Sequence, residues 1–93
     1  MEQKFLEAWQ KATAAAAGLG VRIRPAESLE QAHRILSGHK ESDGFSHLAR
    51  LGRLELSLEA LAVKKQFTAL FSDEEANNAL MSLMDAGYQF SKV

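Results

Sequence analysis

The first stretch of the chain repeats its apolar residues with the period of an α-helix. Four of them lie at i, i+4, i+7 and i+11 and therefore share one helical face: Phe5, Trp9, Ala12 and Ala16. Glycines follow at positions 18 and 20, and glycine readily takes the left-handed conformation that ends helices. The pattern predicts a first amphipathic helix over residues 2–17.

Two shorter helices are predicted next. Ser28 precedes an apolar periodic segment that Gly38 ends, and its hydroxyl is typical of an N-cap. A third helix is predicted over residues 45–52, with Asp43 or Ser46 as its cap.

The second half of the chain predicts two further helices. Ser57 is the expected N-cap of a fourth helix over residues 57–71, after a break near Leu56. The sequence SDEE at residues 72–75 is typical of a capping box, and it places three acids at the positive end of a fifth helix. The apolar stripe of that last helix is Ala76, Leu80, Leu83 and Met84.

Two short segments alternate with the period of a strand. They are residues 21–24 and 88–91, which leaves room for a minor two-stranded ribbon, although docking of the tail on the helices is the simpler expectation. These patterns predict a single all-α domain over residues 1–93, a small bundle of four to five short helices. The expected core is Trp9, Leu36, Leu48, Leu51, Leu61, Phe67, Leu70, Leu80, Leu83 and Met84.

The amino-acid composition mainly excludes certain classes of protein and of site. The chain is 46% apolar and 25% charged with a net charge of −1, which is typical of a globular protein without a strong attraction to polyanions. It contains no cysteine, so disulfides, thiolate metal sites and cysteine nucleophiles are excluded. No apolar run approaches the roughly 20 residues that cross a bilayer, and charges interrupt the start of the chain. We expect a cytoplasmic protein without a membrane partner.

One polar stretch raises the question of a metal site. His39, Asp43 and His47 could supply three ligands, but their spacing matches no compact zinc motif. Read as an EF-hand loop, the stretch places Arg50 where calcium needs a bidentate glutamate. A solvated turn before a helix explains the same residues, and no nucleophile-elbow motif occurs in the chain. We expect no metal, no cofactor and no catalytic residues.

Two binding functions remain. The weaker hypothesis is a helical nucleic-acid-binding module with a basic face made of Arg50, Arg53, Lys64 and Lys65. Its candidate recognition helix would begin with Leu58 and Glu59, which disfavours contact with phosphate.

The favoured hypothesis is a protein-interaction module. Several large apolar residues fall outside the main helical stripes, and such residues form interfaces when they are exposed together: Leu54, Leu56, Met81, Tyr88 and Phe90. We therefore expect a small non-enzymatic adaptor or regulatory subunit of the bacterial cytoplasm. Its partner would be another protein or a second copy of itself.

Overall fold

The computed structural model describes residues 2–38 and 41–88, and over these residues the chain folds into five α-helices. They are α1 (Glu2–Gly18), α2 (Leu29–Ser37), α3 (Phe45–Leu51), α4 (Leu58–Ala62) and α5 (Asp73–Asp85), with 3₁₀ turns at Leu54–Leu56 and Thr68–Leu70. The predicted all-α bundle is confirmed. The minor ribbon is not supported. Residues 21–24 form no strand, and the proposed second strand lies outside the described residues from position 89 onward.

Three serine N-caps are confirmed. Ser28 Oγ accepts a hydrogen bond from the Gln31 backbone N–H at 3.2 Å, and Ser57 Oγ accepts one from Ala60 at 3.1 Å. Ser72 and Glu75 form the complete capping box, in which each side chain accepts a hydrogen bond from the other's backbone N–H. These local signals were therefore sufficient to place the starts of α2, α4 and α5.

The predicted caps of α3 are wrong. Gly44 occupies the N-cap position with φ 74°, and no side chain caps this helix. Asp43 instead forms an ion pair with Arg24, whose Nε lies 3.2 Å from the Asp43 carboxylate. Asp43 therefore links the segment before α3 to the extended chain between α1 and α2.

The fourth helix is shorter than predicted. α4 ends at Ala62, and from there several backbone N–H groups bond to carbonyls three residues back: Lys64 to Leu61, Phe67 to Lys64, and Phe71 to Thr68. Valine, phenylalanine and threonine occur in this stretch, and each is a weaker helix former than alanine or leucine. The chain therefore follows a series of tight turns between α4 and α5.

Aromatic rings form the centre of the first apolar cluster. The Phe5 ring lies 5.2 Å from that of Phe67 and 5.1 Å from that of Phe71, both in edge-to-face arrangements, and 6.0 Å from Trp9. Edge-to-face aromatic pairs contribute about 0.5–1.5 kcal/mol beyond the area they bury. This cluster joins α1 to the turns that follow α4.

Three helix C-termini converge on a second apolar cluster. In each, a backbone N–H bonds to a carbonyl five residues earlier, across a glycine with positive φ: Val21 to Ala16, Arg53 to Leu48, and Tyr88 to Leu83. This is the Schellman motif, which glycine permits because it has no Cβ. The three residues whose carbonyls accept these hydrogen bonds, Ala16, Leu48 and Leu83, are completely buried.

Four of the predicted core residues are not buried. Leu51 and Met84 are exposed, and Leu70 and Leu80 are half-buried. In α5 the reason is the roll of the helix about its axis. Glu75 bonds to His33 and Asn78 donates to the Leu36 carbonyl at 2.9 Å, and both of these partners lie on α2. These polar contacts turn Ala79 and Leu83 into the core in place of Leu80 and Met84.

Candidate functional site

The histidine-containing stretch that was weighed and rejected as a metal site forms no such site within the described residues. His47 is half-buried on α3, Asp43 is paired with Arg24, and His39 lies outside the described residues. Across positions 2–38 and 41–88, no group of three or more His, Cys, Asp or Glu side chains is arranged to hold a metal ion.

The four basic candidates belong to two separate segments. Arg50 lies exposed on α3, and Arg53 follows that helix and forms an ion pair with Glu55, with Nε 2.6 Å from the carboxylate. Lys64 and Lys65 lie in the turn after α4. Because Glu55 already compensates the charge of Arg53, the positive charge available to a phosphate backbone is reduced.

The five apolar interface candidates have different environments. Leu54 is only 6% exposed and belongs to the second cluster, so it is not available to a partner. Leu56 and Tyr88 are half-buried, and Phe90 lies outside the described residues. Met81 alone of the described candidates is exposed, at 62%.

The structure adds Met84 to this exposed surface. It is also 62% exposed and lies three residues after Met81 on α5, where i and i+3 side chains are neighbours. The half-buried Leu80 lies directly before Met81 and continues the apolar surface towards the core. We refer to Leu80, Met81 and Met84 as the α5 face. Sequence periodicity placed Met84 in the core because the roll of α5 depends on its contacts with α2.

A cavity of about 180 Å³ opens beside this face. Leu36 and Met81 form part of the apolar wall of this cavity. The polar groups that line the cavity are Glu59 of α4 and Asn78, Ser82 and Asp85 of α5. Asn78 donates its amide hydrogen to the Leu36 carbonyl, which leaves the amide oxygen of Asn78 as an acceptor.

Glu59 is the most unusual polar residue of this cavity because it is only 2% exposed. Ser42 donates two hydrogen bonds to its carboxylate, from the backbone N–H at 2.8 Å and from Oγ at 2.6 Å. Burial raises the pKa of Glu59 above its ordinary value although the Ser42 bonds act to lower it, and the nearby Glu41 adds to the rise. The charged form of this carboxylate is therefore incompletely compensated by the protein.

Sequence reasoning missed Glu59 as a site residue. From the sequence it is an acid in the first turn of the helix that the nucleic-acid hypothesis places against DNA. One signal was present, since Glu59 interrupts an otherwise apolar stretch, and a charge inside such a stretch is buried when the helix is covered on all sides. The hydrogen-bond partner, Ser42, lies 17 positions away and has no signature in the sequence.

Comparison of the chain with protein-family models, with curated proteins and with solved structures gives no match. Among the helices that the structure describes, none has the length and apolar character needed to cross a bilayer.

Proposed function

We propose that the protein is a small non-enzymatic protein-interaction module, an adaptor or regulatory subunit, whose partner binds the α5 face. The supporting observation is the exposure of Met81 and Met84 side by side on a helix that is otherwise anchored in the core. Adjacent exposed apolar side chains are typical of binding surfaces. Methionine suits such a surface because its unbranched, polarizable side chain adapts to the shape of a partner.

The energetics support the same conclusion. Complete burial of one methionine side chain is favourable by about 1.5–3 kcal/mol, and the fold leaves most of this unrealised at both positions. A partner that covers the α5 face would gain this free energy on binding. The roll of α5 that exposes these residues is fixed by the contacts of Glu75 and Asn78 with α2, so the surface is preformed.

The test compares three forms of the tagged protein in pull-downs from nuclease-treated native lysate. They are the unchanged chain, the double variant Met81→Asp/Met84→Asp, and the control Leu19→Asp, which alters an exposed apolar residue in the turn after α1. All three substituted positions are exposed, so we expect both variants to retain the native circular dichroism spectrum. The proposal predicts a stoichiometric partner that the unchanged chain and the control retain and the double variant loses.

Retention of the same proteins by all three forms would overturn the proposal. Recovery of partners only when nuclease is omitted, with their loss after Arg50→Glu/Lys65→Glu, would also overturn it in favour of nucleic-acid binding.

A further inference from the structure

The cavity beside the α5 face has a consistent chemical character. The polar residues named above all carry oxygen acceptors: the carboxylates of Glu59 and Asp85, the amide oxygen of Asn78, and the hydroxyl of Ser82. Among the described residues that line it, none is a lysine, arginine or histidine. Such a lining complements a group that carries a positive charge and several N–H donors.

The helix that provides most of this lining is also acidic. α5 contains Asp73, Glu74, Glu75 and Asp85 and no lysine or arginine. Asp73, Glu74 and Glu75 lie in the first turn, whereas Asp85 lines the cavity, and its negative charge attracts cationic groups over roughly a Debye length, about 8–10 Å at physiological ionic strength. One cationic group can then bind in the cavity and exchange part of its hydration for contacts with these residues.

We propose that this cavity binds the ammonium or guanidinium group of a lysine or arginine side chain that a partner presents while its apolar residues cover Met81 and Met84. The inference rests on the proposed function, because the same partner occupies both the α5 face and the cavity. Leu36 and Met81 contact the aliphatic stem of the incoming side chain, and Glu59 and Asp85 bind its charged head.

The size of the cavity favours one side chain over a larger ligand. At about 180 Å³ it is smaller than the roughly 300–1,000 Å³ typical of sites for drug-sized molecules and cofactors. It exceeds several times the roughly 30 Å³ that one water occupies in the liquid. A single extended side chain is therefore the ligand class that fits.

The environment of Glu59 supports the same assignment. Its carboxylate is almost completely buried, and its hydrogen bonds come from the backbone N–H and the hydroxyl of Ser42, which are neutral groups. A cation placed in the cavity adds an opposite charge beside it, and burial, which raises the pKa of Glu59, acts in the same sense by disfavouring an unpaired charge. Asp85, which is exposed at the rim, adds a second negative charge on the path of entry.

The probe is a synthetic amphipathic peptide of leucine and lysine, and its matched control replaces every lysine with glutamine. Binding to the full chain is measured by fluorescence anisotropy, and the contacted residues are mapped from backbone amide shifts. The variants are Glu59→Gln and Asp85→Asn. The control is Glu74→Gln, which removes the same charge from an exposed position of α5 that does not line the cavity.

We expect the lysine peptide to bind, with shifts at Asn78 and Ser82, and the glutamine peptide to bind at least about tenfold more weakly. Glu59→Gln should weaken the lysine peptide by about tenfold or more, whereas Glu74→Gln should change its Kd by less than about threefold. Because Glu59 is buried, Asp85→Asn provides a second test at an exposed site, with an expected loss of about threefold or more.

Equal losses in Asp85→Asn and Glu74→Gln would overturn the inference, since attraction to the acidic helix would then be general. Equal binding of the two peptides would also overturn it. If n-butylammonium shifts the amide signals of Asn78 and Ser82 and the lysine peptide does not bind, the ligand of the cavity is a free amine. The inference of a partner's side chain would then be wrong. These outcomes are independent of the pull-down. If Met81→Asp/Met84→Asp retains every partner while the cavity binds lysine, the proposed function fails and the cation site remains.

Discussion

At the scale of single residues, Gly44 shows what a sequence can and cannot predict. A glycine in a polar stretch before a helix is typical of a turn that needs a positive φ, and Gly44 has φ 74°. The second constraint on Gly44 is tertiary. A Cβ added here would lie 2.6 Å from Cγ1 of Val21 and 3.0 Å from Cγ1 of Ile23. Nothing in the local pattern indicates that the chain between α1 and α2 passes so close.

This contact makes Gly44→Ala a specific test of the packing between α3 and the extended chain. The substitution combines left-handed strain of about 1–2 kcal/mol with overpacking of about 1–3 kcal/mol, so we expect a loss of about 2–5 kcal/mol in the free energy of unfolding. Gly52→Ala is the matched control, because Gly52 has φ 70° and nothing within 4 Å of an added Cβ. Urea unfolding should show a loss of only about 1–2 kcal/mol there. Equal losses in the two variants would mean that the close approach at Gly44 has no energetic consequence.

At the scale of secondary-structure elements, two carboxylates at helix starts have opposite environments. Glu75 is the capping-box acid of α5, and the sequence was sufficient to predict it because all the groups of the motif lie within four residues. Glu59 lies equally early in α4, but its environment depends on Ser42 and α5, which are distant in sequence. Burial acts to raise the pKa of both groups. In Glu75 it is outweighed by the hydrogen bonds from the Ser72 backbone and from His33, and the pKa is lowered.

The same comparison explains which helix boundaries could be predicted. N-caps depend on a few adjacent residues, and the sequence predicts them correctly for α2, α4 and α5. The roll of α5 depends on its contacts with His33 and Leu36 of α2, so periodicity alone placed Met84 in the core. The end of α4 at Ala62 depends on the turns that lead Phe67 to Phe5, and no local stop signal marks it.

The lowered pKa of Glu75 gives a pH-dependent prediction for Glu75→Gln. A carboxylate whose pKa is lower in the folded than in the unfolded chain contributes stability that is present above its ordinary pKa of about 4.5 and is lost as the pH falls through the folded value. The variant should therefore lose about 1–2 kcal/mol at pH 7, and the difference from the unchanged chain should shrink towards pH 3. Urea unfolding at both pH values measures this, with the exposed Glu74→Gln as control. A loss that is the same at pH 3 and pH 7 would contradict the role of the charge.

At the scale of the whole molecule, the two apolar clusters are joined into one core. The aromatic cluster lies around Phe5, and the second cluster collects the C-terminal ends of α1, α3 and α5. Leu56 and Val63 pack against both clusters. They flank α4, whose five residues are all buried, so this short helix acts as the shared centre of the bundle. Leu54 and Leu56, which the sequence analysis proposed as interface residues, pack beside this centre.

This connection predicts that the chain unfolds as one cooperative unit. Leu83→Ala removes a completely buried side chain from the second cluster and should cost about 2–5 kcal/mol, a large share of the stability of a small domain. Trp9 lies in the aromatic cluster and reports on the other half of the core. We expect Trp9 fluorescence and far-ultraviolet circular dichroism to shift to the same lower urea midpoint in this variant. Met84→Ala, one residue further along α5 and exposed, should move either midpoint only slightly. An early loss of ellipticity, with the Trp9 transition unchanged, would show instead that the clusters unfold separately and that Leu56 and Val63 do not couple them.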